Sequence, residues 1–553
     1  MIYEGPLIRR LVSYEYNGRK YYQVSHCSLP TNMSPQWLRD SFFGQCMRHI
    51  CKPVWCEYPE ESAGWMEAAN FHNLPSQNEK SIRVEWYSDT DEENPQSWSQ
   101  AKKAFVTGVI GAYSFVVYMS APIYTPGENS FMDEFHVSSA EAALGLAIYV
   151  LGYGAGPLFF SPLSEIPRIG RNIPYVISFA LFCIISVPTA IAPTAIGFYF
   201  LRFLQGFFGS PCLATGGASI ADMYSSDVLP HAMSTWGFCV FCAPAIGALV
   251  SGFAIPVLGW RFAMWEILMA AAPVLVLLIL MPETSAATIL HRRARRLEKN
   301  DKANLNPNTR IYQTAADVVQ GEISFHEVLR ESLLIPSKIT FLDPAMMFLN
   351  CYTSLVYGIY YSFFEAFPIV YQGIYRFNLG EMGLAFLAIV VGTIISFVVY
   401  NYYIHRVFVP KARNGGFKKP EDVLVPALFA CFGPSIGLFL FGWAARPEIH
   451  WIVPTIGIVI YPACVFVLMQ CIFLYIPACY PQYAASVFAA TDFTRSAFAC
   501  GAVIFSRPLY LNLGIGPGCS LLAGLTIGCV VGIYVLYHYG EALRLRSKFV
   551  SKW

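Results

Sequence analysis

Charge is what this chain has least of. Lys, Arg, Asp and Glu make up 13% of its 553 residues, about half the share usual in soluble globular chains. The net charge is only +1, which excludes a nucleic-acid binder that works through overall basic charge. The first ~30 residues lack the apolar core of a signal peptide, so the first apolar span is expected to drive membrane insertion. No nucleophile triad, phosphate loop or membrane-facing metal cluster stands out, so the reading is not an enzyme and implies no cofactor and no metal. His26, His49, Cys51 and Cys56 follow no zinc spacing. The 16 cysteines form no disulfide framework; most, such as Cys183, Cys212, Cys431 and Cys500, sit inside apolar runs and read as small hydrophobes.

Apolar sequence is what fills the space. Hydrophobic residues reach 55% and aromatics 16%. Twelve apolar stretches of about spanning length, roughly 20 residues each, start near Ala104, Ala140, Ile173, Thr194, Met233 and Phe262, then near Leu342, Gly380, Val423, His450, Tyr483 and Pro517. The polar gap from Pro282 to Lys338 divides them evenly. The expected fold is an all-α membrane protein with twelve transmembrane helices, in two six-helix halves around a central cavity. Its parts are a largely irregular cytoplasmic tail (1–101), a first half (102–281), a cytoplasmic loop (282–340), a second half (341–540) and a cytoplasmic tail (541–553). Within the first tail, Trp37 to Gly44 opens a short helical pattern, and Asp89 to Trp98 is an acidic turn.

Orientation follows from the loops. Arg168, Arg171, Arg292, Arg293, Arg295, Arg296, Arg406, Lys411, Arg413 and Arg544 fall on one side, whereas Arg261, Arg376, Arg446 and Arg507 are nearly all the basic residues on the other. The first loop of that other side is acidic, with Glu128, Asp133 and Glu134. Lys and Arg concentrate on the cytoplasmic side of membrane proteins, so both termini are expected in the cytoplasm.

The stretch from Phe198 to Gly252 organises the mechanism. Arg202 interrupts an apolar run, and a guanidinium at membrane depth usually faces a bundle interior or a water-filled cavity. Gly206, Ser210, Ala214 and Ala218 follow it at four-residue spacing. Ala243, Gly247 and Ser251 form a similar stripe on the next apolar stretch, with Pro244 inside it. Small residues allow close helix approach in lipid, and an interior proline bends a helix. The polar break between these stretches holds Asp222, Asp227 and His231.

These residues also carry a family resemblance. Ser161 to Glu165 with Gly170, Arg171 and Asn172 resembles the loop-two signature of the major facilitator superfamily, with Ser161, Glu165 and Asn172 in place of the usual glycine, aspartate and basic residue. Arg202, Gln205 and Gly206 match the arginine-glutamine-glycine signature of the fourth span. Gly237, Ala243, Pro244 and Gly247 through Gly252 resemble the antiporter signature of the fifth span, with Ala243 and Ala248 as departures. Ser210 to Asp222, Trp260-Arg261 with Trp265-Glu266, Pro282-Glu283-Thr284, Glu365 to Pro368, and Ala485 to Arg495 narrow the resemblance to fungal drug:proton antiporters that confer resistance to fluconazole, benomyl and cycloheximide. The resemblance covers nearly everything after Met33, and it implies that Met33 is the initiator, with residues 1–32 an extension. The run Phe505 to Pro508 departs from the family, and Arg507 there either alters the external mouth or is solvated.

The resemblance implies a proton-coupled efflux pump of the cell membrane, acting by alternating access as a monomer on small lipophilic compounds. The alternative within the same fold is a proton symporter importing a small nutrient, or a polyamine transporter. It implies that Arg202 takes part in proton coupling by biasing a nearby carboxylate, with Glu365, Asp492 and Glu266 as the acidic candidates. Asp492 and Arg495, three apart, can equally pair with each other. Tyr360, Tyr361, Glu365, Gln205 and Phe241 are the expected substrate contacts, since aromatic faces with a carboxylate suit flat lipophilic and cationic ligands. Glu165, Gly170, Arg171, Gly206, Pro244, Gly247, Asp222 and Arg495 are expected to form latch and packing elements.

Overall fold

The computed structural model describes residues 11–16, 19–24, 34–51, 56–61, 81–303, 311–320, 343–414, 417, 419–480 and 484–545. Among them, ten helices are long and apolar enough to cross a membrane, from Gln100–Phe135 to Ile515–Leu543. Two more complete the bundle. The fourth span is two abutting pieces, Ala195–Gly209 and Pro211–Met223, and the seventh is Pro344–Phe367. These two are less uniformly apolar because they carry Arg202 and Gln205, and Asn350 and Glu365. Each expected start falls within about one helical turn of an observed one.

The helices pack through missing side chains. A Cβ on Gly206 would lie 2.3 Å from Tyr149 O, and one on Gly152 2.3 Å from Phe203 O, so the second and fourth spans touch backbone to backbone. Gly247 plays the same part between the fifth span, Leu229–Leu258, and the first, Gln100–Met119, with Met119 O 2.5 Å from the added Cβ. The two halves meet along the second and eleventh spans and along the fifth and eighth. Between the fifth and eighth, Asn401 Oδ1 accepts from His231 Nδ1 (2.8 Å) and Asn401 Nδ2 donates to Ser234 Oγ (3.0 Å), and Arg413 pairs with Asp227 at 2.8 Å. The polar break singled out in the sequence thus ties the halves together at the face that carries the chain ends.

The tail is not irregular among the described residues. Helices Ser34–Arg39 and Phe42–Ile50 are separated by Ser41, which caps the second by accepting from Gly44 N–H. Leu11–Tyr16 pairs with Arg19–Val24, and Ser81–Arg83 runs parallel to Ile311–Gln313; these short pairs lie outside the bundle. The acidic turn is held by the basic helix Ala286–Ala303 that follows the sixth span. Arg293, 1% exposed, pairs with Asp91 at 2.7 Å, and Arg296 bridges Glu60 at 2.6 Å and Glu93 at 3.0 Å. Arg293 also lies 3.9 Å over the Tyr87 ring and Arg296 3.6 Å over Tyr58. Burial raises the Glu93 carboxyl. Burial pushes Asp91 the same way, but the hydrogen bond and charge of Arg293 outweigh it and hold that carboxyl below its ordinary range. Loop charges read as topology signals are therefore also the partners of a folded tail. His26, Met33 and residues 321–342 of the central loop lie outside the described residues.

Candidate functional site

A cavity lies between the halves. Tyr118 enters it from the first span, Trp236, Phe241 and Pro244 from the fifth, Tyr357, Tyr360 and Tyr361 from the seventh, Met469 and Phe473 from the tenth, and Arg495 from the eleventh. A second cavity shares Trp236, Phe473 and Arg495 and adds Asp492, Met233 and Thr491. The walls are aromatic and the charge is concentrated in one pair. Tyr153 hydrogen-bonds Tyr357 across the halves and donates to Tyr361 at 2.9 Å, and Tyr360 donates to Phe241 O at 3.1 Å. Tyrosine hydroxyls thus tie the two halves together at the chamber.

Asp492 and Arg495 form a buried ion pair one helical turn apart. Arg495 also donates to Tyr118 OH at 2.9 Å, across the halves, and lies 4.7 Å over the Tyr357 ring. The pair is not saturated: Asp492 Oδ2 and Arg495 Nε are buried without hydrogen-bond partners. Unused hydrogen-bonding capacity on a charged pair facing an aromatic space is what a polar group of a bound molecule, or at Asp492 a proton, can satisfy.

Arg202 is fully buried in the first half. It donates to Gly145 O (3.0 Å), Gln205 Oε1 (3.0 Å), Ser120 O (3.0 Å) and Ala121 O (2.8 Å), and its guanidinium lies 4.2 Å over the Tyr149 ring. Its place inside the bundle matches expectation. Its partners do not: they are carbonyls and an amide, and no carboxylate of the described residues pairs with it. The first, second and fourth spans are stapled through this one side chain. Gln205 is turned the same way, donating to Ser186 Oγ at 2.7 Å, so it braces Arg202 instead of lining the cavity.

The other expectations divide. Tyr360, Tyr361, Phe241 and Pro244 line the cavity. Glu365 does not; only 2% exposed, it lies toward the face away from the chain ends, within electrostatic range of Glu128 and Arg507. Glu266 is half-buried on the sixth span, Trp260–Leu280, away from both cavities. In the loop-two signature Glu165 is exposed, and Arg171 pairs instead with Asp222 at 3.1 Å while donating to Thr215 O at 3.3 Å. Gly170 has φ of +77°, and a Cβ there would lie 2.5 Å from Glu283 Oε2. Its absence lets Glu283 accept from the N–H groups of Arg171 (3.1 Å) and Asn172 (3.2 Å), which start the third helix. All these contacts lie within the first half and the residues that directly follow it, so the latch seen here joins loop two to the fourth span and to the end of the sixth. Cys56 is buried and donates to Gly44 O at 3.6 Å.

Sequence reasoning missed Glu128, Tyr118 and Tyr153. Glu128 read as loop acidity, although Pro126-Gly127 before it signals a turn into a helix. Tyr118 and Tyr153 carry no sequence mark beyond an aromatic within an apolar run.

Comparison with known proteins places this geometry. The Major Facilitator Superfamily profile matches residues 107–504. The chain is similar to an MFS-type transporter of Aspergillus violaceofuscus, at 45% identity over 86% of each chain. It is similar to the fluconazole resistance protein 1 of Saccharomyces cerevisiae, at 39% over 85% of each, and to the cycloheximide resistance protein of Candida maltosa, at 35% over 97% of this chain and 98% of that one. Among solved structures, the partially occluded, inward-open xylose transporter XylE of E. coli superposes with a TM-score of 0.56 at 14% identity, over 80% of this chain and 98% of that chain. At that identity the likeness speaks for the fold alone.

Proposed function

The chain belongs to the Major Facilitator Superfamily, and from that premise we propose that it exports small lipophilic compounds in exchange for protons. The observation that carries this is the chamber: aromatic walls drawn from both halves, closed by tyrosine hydroxyls, with an unsaturated Asp492–Arg495 pair at its edge. Relatives named for fluconazole and cycloheximide resistance support the substrate class. The face bearing the chain ends is the cytoplasmic one, supported by its excess of arginine and lysine, and the membrane is the plasma membrane. One chain holds a complete chamber, so a monomer suffices.

The chemistry is a competition for charge. Tyr360, Tyr361 and Phe241 take the flat apolar body, and Asp492 takes a cationic or hydrogen-bonding group. Protonation of Asp492 removes its attraction for both Arg495 and the ligand, which frees the ligand on the acidic side. The halves then rock about the chamber. Arg202 acts as a fixed staple of the first half, and its link to coupling runs through helix position, not through a carboxylate.

The test is transport by the purified full chain in liposomes, with rhodamine 6G as the probe and the compartment facing the end opposite the termini made acidic. Dye should move toward the acidic compartment, and dissipating the gradient should stop it. Dye movement that ignores the gradient would sink the exchange reading.

A further inference from the structure

We propose that Glu128 and Glu365 together form a proton site whose occupancy controls closure of the face opposite the chain ends, an inference that rests on the proton-exchange reading above. Glu128 opens the helix Glu128–Phe135 just beyond the first span, and Glu365 lies near the end of the seventh. They come from different halves, yet both are buried, at 7% and 2% exposure. One oxygen of each, Oε1, is buried without a hydrogen-bond partner. At this face the fifth and eighth spans touch: a Cβ on Gly252 would lie 2.8 Å from Leu379 O, and one on Gly380 2.6 Å from the Phe253 ring.

The surrounding charges do not balance. Glu128 and Glu365 lie within electrostatic range of each other and of Arg507, which is half-buried on the eleventh span. The phenols of Tyr124 and Tyr199, which are uncharged below about pH 10, approach from the first and fourth spans. Arg202 is committed to carbonyls, and Arg261 is paired with Glu134 at 2.6 Å beside Trp260, which packs on Gly127. Two buried carboxylates within electrostatic range of one half-buried guanidinium leave an excess negative charge. An uncompensated buried charge is strongly disfavoured, so one carboxyl holds a proton while the face is closed. When the halves part there, water reaches both groups and each can ionise. The closed form therefore binds one proton more than the open form. By linkage, acid at this face favours closure, with the closed-to-open ratio changing up to tenfold per pH unit. With this face outside, external acid returns the empty carrier to the cytoplasm-facing state, which is the step an exporter needs.

The experiment is hydrogen–deuterium exchange of the full chain in lipid nanodiscs without substrate, corrected for intrinsic exchange, from pH 5.5 to 8. Segments Glu128–Phe135 and Leu379–Ala385 should lose protection as pH rises, by up to tenfold per unit, while the tenth span does not. In Glu128→Gln the slope should vanish, because Glu365 alone is matched by Arg507. A wild-type slope in Glu128→Gln, or no slope in the wild type, would overturn the proposal. Wild-type rhodamine 6G export that ignores a pH gradient, with the exchange slope intact, would sink the exchange reading and leave the pair standing.

Discussion

Each half of the bundle buries one arginine near the central path, and the two are used in opposite ways. Arg202 is saturated: it meets three backbone carbonyls and the Gln205 amide, and it lines neither of the two cavities between the halves. Arg495 is paired but unsaturated: it holds Asp492, reaches Tyr118 across the halves, and leaves Nε free beside an aromatic chamber. Equal burial does not mean equal role. A charge satisfied by backbone fixes the helices that supply the carbonyls, whereas a charge satisfied by a titratable side chain can change state when that side chain takes a proton or a ligand.

The largest break in this comparison is Arg202→Ala. It leaves three buried carbonyls short of donors, which costs about 3–5 kcal/mol, so thermal unfolding in detergent should come markedly earlier and export should vanish with it. A variant that is fully stable yet transport-dead would restore a direct coupling role. Asp492→Asn comes next. The fold should hold, because the amide still accepts from Arg495, while gradient-driven rhodamine 6G export drops more than tenfold; unchanged export would remove the pair from the mechanism. Tyr360→Ala should weaken dye binding about tenfold, or ~1.4 kcal/mol, through lost aromatic contact, read by fluorescence anisotropy.

The smallest expected effect lies in the tail. Asp91 has a lowered carboxyl pKa in the folded state, so its pairing with Arg293 contributes fully above the ordinary carboxylate range and is lost as pH falls through the lowered value. Exchange protection of residues 84–98 should fall on acidification, and Asp91→Asn should bring that loss into neutral pH with little change in export. An Asp91→Asn tail as protected as the wild type at neutral pH would remove this pair from what holds the tail.

Much of this was legible in the sequence. Long apolar runs set the twelve spans, and glycine and alanine at four-residue spacing marked faces that do touch, as Gly206 does Tyr149 O. Arg202 had to be inside, because lipid gives a guanidinium no acceptors. What supplies the acceptors was not legible: Gly145, Ser120 and Ala121 offer backbone carbonyls, which every residue carries. Gln205 and Glu365 were expected at the substrate, Glu365 as a carboxylate among aromatic faces, and periodicity alone does not say which of two interior directions a side chain takes. The tail's acidic turn and the basic helix after the sixth span were each visible, but their pairing joins residues some two hundred positions apart.

The central claim is that lipophilic substrate sits in the chamber between Phe241, Tyr360 and Arg495. Its most direct test is the dissociation constant of rhodamine 6G for the purified full chain in nanodiscs, compared between the wild type and the Phe241→Ala/Tyr360→Ala double variant at fixed pH. The chamber account predicts binding at least tenfold weaker in the double variant with thermal stability within a few degrees of the wild type; equal affinity in a stable double variant would contradict it.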